Sequence, residues 1–319
     1  MTLINPALFR DEAASDETLA FNRDLSARLN ALPDQWIFPP QVVRERREQG
    51  LGPFPAPVRS PRAETRVIEG PHGPVPLRLF RPQGKSATGA FLHIHGGGWT
   101  LGSADAQDPR LVEMADRTGL LVVSVDYRLA PEHPYPQGPD DCEAAALWLV
   151  RAGAIEFSVS QFALGGDSAG ANLAVATMLR LRDRHGLTPF CAAVLIAGCY
   201  DLRLTPSARS WGMDKLVLNT RDMDMFVRHY LAHGQDPWTP DISPLAADLR
   251  GLPAAHFVVG TRDPLVDDTL FMAMRWLAAG NAAELKLFPG GCHVFQNFPL
   301  RIAAESNNLI DKFLIESTQ

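Results

Sequence analysis

Residues 162–186 read FALGGDSAGANLAVATMLRLRDRHG: a short apolar run, a turn of small residues, and a long helical pattern that ends at Gly186. A buried strand feeding a helix through so tight a turn is the repeating unit of a mostly parallel sheet with helical crossovers. Within it, Gly166-Asp167-Ser168-Ala169-Gly170 fits G-x-S-x-G, the pattern in which a serine is presented on a strained strand-to-helix turn. Gly166 and Gly170, two residues to either side of Ser168, remove the Cβ atoms that would collide as strand and helix cross. A glycine-rich turn with a serine capping a helix would read the same way. Random placement of this chain's serines and glycines gives about 0.09 such matches, so the rest of the chain has to separate the two readings.

Working outward, apolar strands alternate with helices from residue 90: AFLHIH, DPRLVEMADRTG, LLVVSVDY, DDCEAAALWLVRAG, then the opening stretch. The run FCAAVLIAGCY (190–200) suits a strand buried on both faces and is far too short to span a bilayer. Alternation resumes after residue 250 with AHFVVGTRD, PLVDDTLFMAMRWLAAG, AELKLFPGG and a last helix near 298–316. Between about 200 and 250 the strand signal stops, and TRDMDMFVRHYLAHG has the pattern of an amphipathic helix inside an insertion. Upstream, AETRVIEG and VPLRLFRP, separated by PHGP, read as a hairpin. The first fifty residues look helical, with Leu25, Leu29 and Leu32 on one face and Pro39-Pro40 as a break. The prolines of LGPFPAPVRSP (51–61) mark a linker into a different unit. The expected organisation is one α/β core, a helical N-terminal arm and a mid-chain insertion.

A second motif bears on Ser168. His95-Gly96-Gly97-Gly98 closes the strand AFLHI, and chance gives only about 0.004 matches to it. Consecutive glycines let backbone N–H groups approach a ligand, so Gly97 and Gly98, with Ala169 just after the serine, are assigned to an oxyanion site. A flexible loop is the bland alternative. A metal site on His93 and His95 lacks the further acid and histidine it would need, so His93 is assigned to packing and His95 to orienting the glycine loop.

An acyl-transfer serine needs a general base and a carboxylate to hold that base in the right tautomer. FVVGTRDPLVDD places Asp263 at the carboxyl end of a buried strand, where α/β sheets carry their chemistry, although Asp263-Pro264 is also a good start for a helix. Asp267 and Asp268, one turn on, are assigned to support. His293 in PGGCHVF lies at the same sheet edge and is the candidate base. His133 and His256 are weaker rivals; His72, His185, His229 and His233 sit in turn or charge-rich helical contexts. Cys292 is read as a small apolar neighbour rather than a thiol nucleophile. Trp99, Trp211, Met213, Leu216 and Met223 are candidates to line an acyl or alcohol pocket, with ordinary core packing as the competing fate.

Composition narrows the partners. With 46% hydrophobic residues the 319-residue chain can bury a substantial core, and a net charge of -6 without a dense Lys/Arg run argues against nucleic acid. MTLINPALFRDEAASDE meets acidic residues before any apolar stretch of signal-peptide length, and the four cysteines form no C-x-x-C pair. A reduced, cytoplasmic setting is the expectation, with no membrane span, no metal and no cofactor. An exposed edge strand at AELKLF could pair across a homodimer.

With HGGGW, YRLAPEHPYP, GDSAG, DPLVDD and CHVF in this order, the chain resembles the hormone-sensitive-lipase-like (family IV) carboxylesterases of the α/β-hydrolase superfamily from about residue 65 to its end. The resemblance implies an α/β-hydrolase fold, a mostly parallel central sheet flanked by helices. It also implies a helical cap made by residues 1–50 and an insertion at about 200–240 on the 51–319 core. It implies nucleophile Ser168, acid Asp263, base His293 and oxyanion donors Gly97, Gly98 and Ala169, and hydrolysis of short-to-medium-chain acyl esters. An amide or N-acetyl hydrolase with the same triad, or a non-catalytic ligand-binding member of the fold, are the other readings. The similar plant hormone receptors lack the catalytic histidine, so His293 argues against the last. Three departures stand out: Ala171 and Val294 where glycine is frequent, and YPQGPDD in place of the usual FPAAxxD.

Overall fold

The computed structural model describes residues 4–318. Among the described residues one sheet contains β1 (Glu64–Ile68), β2 (Val75–Phe80), β3 (Ala90–Ile94), β4 (Leu121–Val125), β5 (Phe162–Asp167), β6 (Phe190–Ile196), β7 (Ala254–Arg262) and β8 (Ala283–Cys292), in the order β1-β2-β4-β3-β5-β6-β7-β8. From β3 to β8 every neighbouring pair is parallel, whereas β1 and β2 form the expected antiparallel hairpin, which joins the sheet antiparallel to β4. The helices are α1 (Asp16–Asn30), α2 (Pro40–Glu48), α3 (Asp108–Thr118), α4 (Gln137–Trp148), α5 (Ala154–Phe157), α6 (Ala169–His185), α7 (Pro206–Ser210), α8 (Thr220–Tyr230), α9 (Val266–Ala278) and α10 (Arg301–Ser317).

The central strands are buried at every position because both sheet faces are covered, which is why they read as continuous apolar runs. Along β3 the side chains alternate between two layers: Leu92 and Ile94 pack with Ala145 of α4 and Leu173 of α6, while Phe91 packs with Leu111 of α3 and Ile310 of α10. Helix α6 is buried from Ala169 to Leu181, so its small residues meet protein all round rather than along one stripe.

Two stretches depart from expectation. Residues 51–61, read as a linker, are tied into the structure: Arg28 donates to Gly52 O (2.7 Å) and Pro53 O (2.9 Å), and Phe54 stacks on Phe298 with ring centroids 5.3 Å apart. Proline density signalled the lack of helix or strand, and side chains from elsewhere supply the order. Strand β8 runs past AELKLF to Cys292 through a register shift opposite Gly260–Arg262. A Cβ on Gly260 would lie 2.0 Å from Gly291 O, so a glycine there lets the ends of β7 and β8 close on each other.

Candidate active site

Ser168 sits between the last residue of β5 and the first of α6 with φ 55° and ψ -121°, a backbone conformation that L residues seldom adopt. The surrounding structure holds it there: its N–H donates to Ile196 O (2.8 Å) and its carbonyl accepts from Ala171 and Asn172 (3.1 and 3.2 Å). A Cβ on Gly166 would lie 2.3 Å from Ile94 O and one on Gly170 2.0 Å from the same carbonyl. The two glycines therefore clear the end of β3 as well as the strand–helix crossing that the sequence suggested. Asn172, one turn into α6, was not singled out; its buried amide donates to Cys199 O and Ile242 O (both 2.9 Å), pinning the loops after β6 to the helix.

The register Arg262↔Cys292 puts Asp263 and His293 one residue beyond neighbouring strand ends. Both Asp263 oxygens lie against His293 Nδ1 (3.0 and 2.9 Å), and His293 Nε2 lies 2.9 Å from Ser168 Oγ. All of this is buried except the serine tip, since Asp263 and His293 are 1% and 4% exposed. With its Nδ1–H directed at a carboxylate, His293 presents an unprotonated Nε2 to the hydroxyl. Asp263 also accepts the N–H of Leu265 (2.9 Å), but it is not the helix cap the sequence suggested: α9 begins at Val266, with Leu265 in the N-cap position and no side-chain capping bond.

The glycine loop passes beside the serine. Gly97 and Gly98 have φ of +114° and +60°, and among the described residues neither of their N–H groups nor that of Ala169 meets a protein acceptor. His95 fixes the loop from below: its Nδ1–H donates to Gly96 O (2.8 Å), its carbonyl accepts from Tyr127 Oη (2.9 Å), and its ring stacks on Tyr127 at 4.2 Å. Burial lowers the His95 pKa below the usual imidazole value, which keeps it a neutral strut. His93 is buried against Ser124 Oγ (2.9 Å). The rivals to His293 lie elsewhere: His133 is exposed and bonded to Gln137, and His256 is buried near Glu284 with its pKa pushed down to about 4, chiefly by desolvation. Cys292 is fully buried and desolvation raises its thiol well above the ordinary range, as suits a packing residue. Of the supporting acids, Asp268 accepts from the N–H groups of Tyr200 and Asp201 (2.7 and 3.0 Å) and from Thr205 Oγ1 (2.5 Å), and Asp267 accepts from Ser207 N (2.8 Å).

A cavity of about 610 Å³ opens over Ser168 and His293. Its walls come from the glycine loop, from Val217, Leu218 and Phe226, from Pro53 to Val58, and from Gln35, Arg44 and Arg47 at the N-terminal side. The candidate pocket residues Trp99, Trp211, Met213, Leu216 and Met223 are not in that lining, and for Trp99, Leu216 and Met223 the competing fate of ordinary packing describes the burial found. Trp99 has φ 56°, and its ring stacks on Tyr230 (4.6 Å) in the core. Trp211 turns to donate Nε1–H to Asp214 O (3.0 Å), and Met213 is 61% exposed. Leu216 is buried, and the left-handed turn at Val217 (φ 73°) gives the cavity its two successors instead. Met223 packs inward, and Phe226, one turn on, faces the cavity. A Cβ on Gly98 would overlap the Phe226 ring at 2.2 Å, so the glycine loop is also the seat of α8.

Residues 91–297 match the family described as alpha/beta hydrolase fold. The carboxylic ester hydrolase LipN of Mycobacterium tuberculosis is 38% identical over 256 residues, 76% of this chain and 67% of that protein. An acetyl esterase of Salmonella typhi is 32% identical over 250 residues, 77% of each chain. Among solved structures, a Pyrobaculum calidifontis esterase superposes with a TM-score of 0.83 at 32% identity, over 92% of this chain and 97% of its own. An esterase from the bacterial hormone-sensitive lipase family gives 0.82 at 31% identity, over 96% and 99%. The chain belongs to the α/β-hydrolase-fold family and, within it, to the hormone-sensitive-lipase-like (family IV) carboxylesterases. No helix among the described residues is long and apolar enough to cross a membrane.

Proposed function

We propose that this carboxylesterase works through Ser168, His293 and Asp263 on short-to-medium-chain acyl esters. The observation that carries the reading is the unbroken chain of contacts from Asp263 to His293 Nδ1 and from His293 Nε2 to Ser168 Oγ at 2.9 Å. Ser168 Oγ attacks the ester carbonyl carbon as His293 Nε2 takes its proton. The carbonyl oxygen becomes an oxyanion, received by the free N–H groups of Gly97, Gly98 and Ala169, and His293 returns the proton to the departing alcohol. Water then attacks the acyl-serine with His293 again as base, releasing the acid and restoring the hydroxyl. Asp263 holds the tautomer and stabilises the imidazolium without taking the proton.

A 610 Å³ cavity walled by Val217, Leu218, Phe226 and the 53–58 segment supports an acyl chain of limited length. The acetyl esterase relative supports the short end of that range. The test is hydrolysis of 4-nitrophenyl esters from acetate to dodecanoate beside the matched anilides. The expected result is a maximum at or below about eight carbons, esters far ahead of anilides, and loss of nearly all activity in a folded Ser168→Ala variant. Substantial turnover by Ser168→Ala would reject the nucleophile, and anilides matching esters would move the reading to an amide hydrolase.

A further inference from the structure

Three arginines line the cavity, and the protein satisfies two of them. Arg44 donates to Thr100 O (2.8 Å) and Ala130 O (2.9 Å) and grips Glu132 with both terminal nitrogens (2.9 and 2.8 Å). Arg110 holds Asp311 (3.2 Å from Nη1) and Asn307 O (3.4 Å). Arg47 is different. Its one hydrogen bond runs from Nη2 to Gln35 Oε1 at a long 3.3 Å, its Nε is enclosed with no acceptor, and among the described residues it forms no ion pair.

Burial pushes the Arg47 pKa down and the charge of Asp222 pushes it back up, leaving it at about 10, so the group is cationic at neutral pH. Asp222 does not neutralise it by contact, because its Oδ1 is occupied by Gln35 Nε2 (2.8 Å) and Trp36 Nε1 (2.7 Å) and its Oδ2 by Asn219 N (3.2 Å). Glu48, also in the lining, is engaged by Arg59 at 2.5 Å. A half-enclosed guanidinium with unspent donors is costly unless an acceptor meets it, and its planar fork fits a carboxylate.

We propose that Arg47 is a specificity residue, receiving a carboxylate that the ester substrate carries at the end remote from the scissile bond. This rests on the reading of Ser168 as nucleophile. Arg47 also borders a second cavity of about 60 Å³, shared with Lys215 and Asp222. Hydration of the guanidinium from that cavity, with no role toward substrate, is the competing account.

The test uses two pairs matched in carbon count, with the charge first on the acyl side and then on the alcohol side: mono-4-nitrophenyl adipate with 4-nitrophenyl hexanoate, and 3-acetoxybenzoate with 3-methylphenyl acetate. The expected result is that in at least one pair the wild-type enzyme handles the charged ester at least as well as its neutral mate. Arg47→Met should then lower kcat/KM for that charged ester by about 10–100-fold, mainly through KM, with the neutral mate within about threefold and Arg47→Lys recovering part of the loss. A tenfold or greater wild-type bias against the charged member of both pairs overturns the proposal. So does an Arg47→Met effect equal on both members, and should that variant fail to fold, the wild-type ratios and Arg47→Lys decide. Hydrolysis of the neutral esters stands apart, since its loss in Ser168→Ala tests the nucleophile whatever happens at Arg47.

Discussion

The two ends of the cavity are built in opposite ways. At the chemical end, Ser168, Asp263 and His293 stand at the ends of β5, β7 and β8, and their spacing follows from sheet register and from glycines where backbones nearly touch. At the far end no sheet is involved. Gln35, Arg47, Pro53–Val58 and Val217 come from segments up to about 180 residues apart, held by side chains such as Trp36, which donates to Asp222 (2.7 Å) and meets edge-on, at 5.0 Å, the Phe226 ring that rests on the glycine loop. A frame fixed by backbone tolerates little change and holds chemistry in place. A wall fixed by side chains can be remodelled one residue at a time, which suits it to choosing substrates.

If that contrast holds, substitutions at the two ends should fail differently. The largest effect is expected from Asp263→Asn, which keeps an acceptor for Leu265 N–H but offers His293 Nδ1 the wrong partner. We expect kcat to fall by about 10³–10⁴-fold for every acyl chain length alike, with a circular-dichroism spectrum like the wild type. A fall that depends on chain length would break the division between the two ends. Trp36→Ala, at the far end, should do the reverse: KM for hexanoate and octanoate esters rises by about three- to tenfold, kcat on acetate stays within about twofold, and Tm drops by a few degrees. Equal loss on all esters would mean that the wall and the frame are one mechanical unit.

A third effect is on stability and its pH dependence, not on turnover, and concerns Asp268, which ties the loop after β6 to α9. Desolvation raises its pKa to about 7, above its value in the unfolded chain. The native state therefore holds the proton more tightly, so this contribution to stability is full below about pH 4 and lost as pH rises through 7. Asp268→Asn removes the titration. Denaturant unfolding from pH 5 to 8 should show the wild type losing stability relative to Asp268→Asn, and parallel curves would refute the assignment.

The legibility of each part follows the same division. GDSAG, HGGG and the Asp and His at later strand ends could be read because each depends on a few adjacent residues obeying a local backbone rule. Val294 illustrates the rule from the other side. The family resemblance marks glycine as frequent there, and in this chain Val294 adopts φ 47°, a conformation a β-branched residue takes only at a cost. Which apolar residues line the cavity was not legible, because an apolar residue, on a loop like Leu216 or on a helix like Met223, carries no sign of which way it faces. Leu216 and Val217 differ by one position and by everything that matters to a substrate.

The sequence alone therefore determined the α/β architecture, the order of the catalytic candidates and the place of the glycine loop, since these rest on periodicity and on steric limits that act between near neighbours. Only the tertiary structure decided that Gly260 and Gly291 close β7 on β8, that a proline-rich connecting stretch also walls the cavity, and that Arg47 is left with donors to spare. Those outcomes depend on contacts between segments far apart in the chain, and no local rule records them.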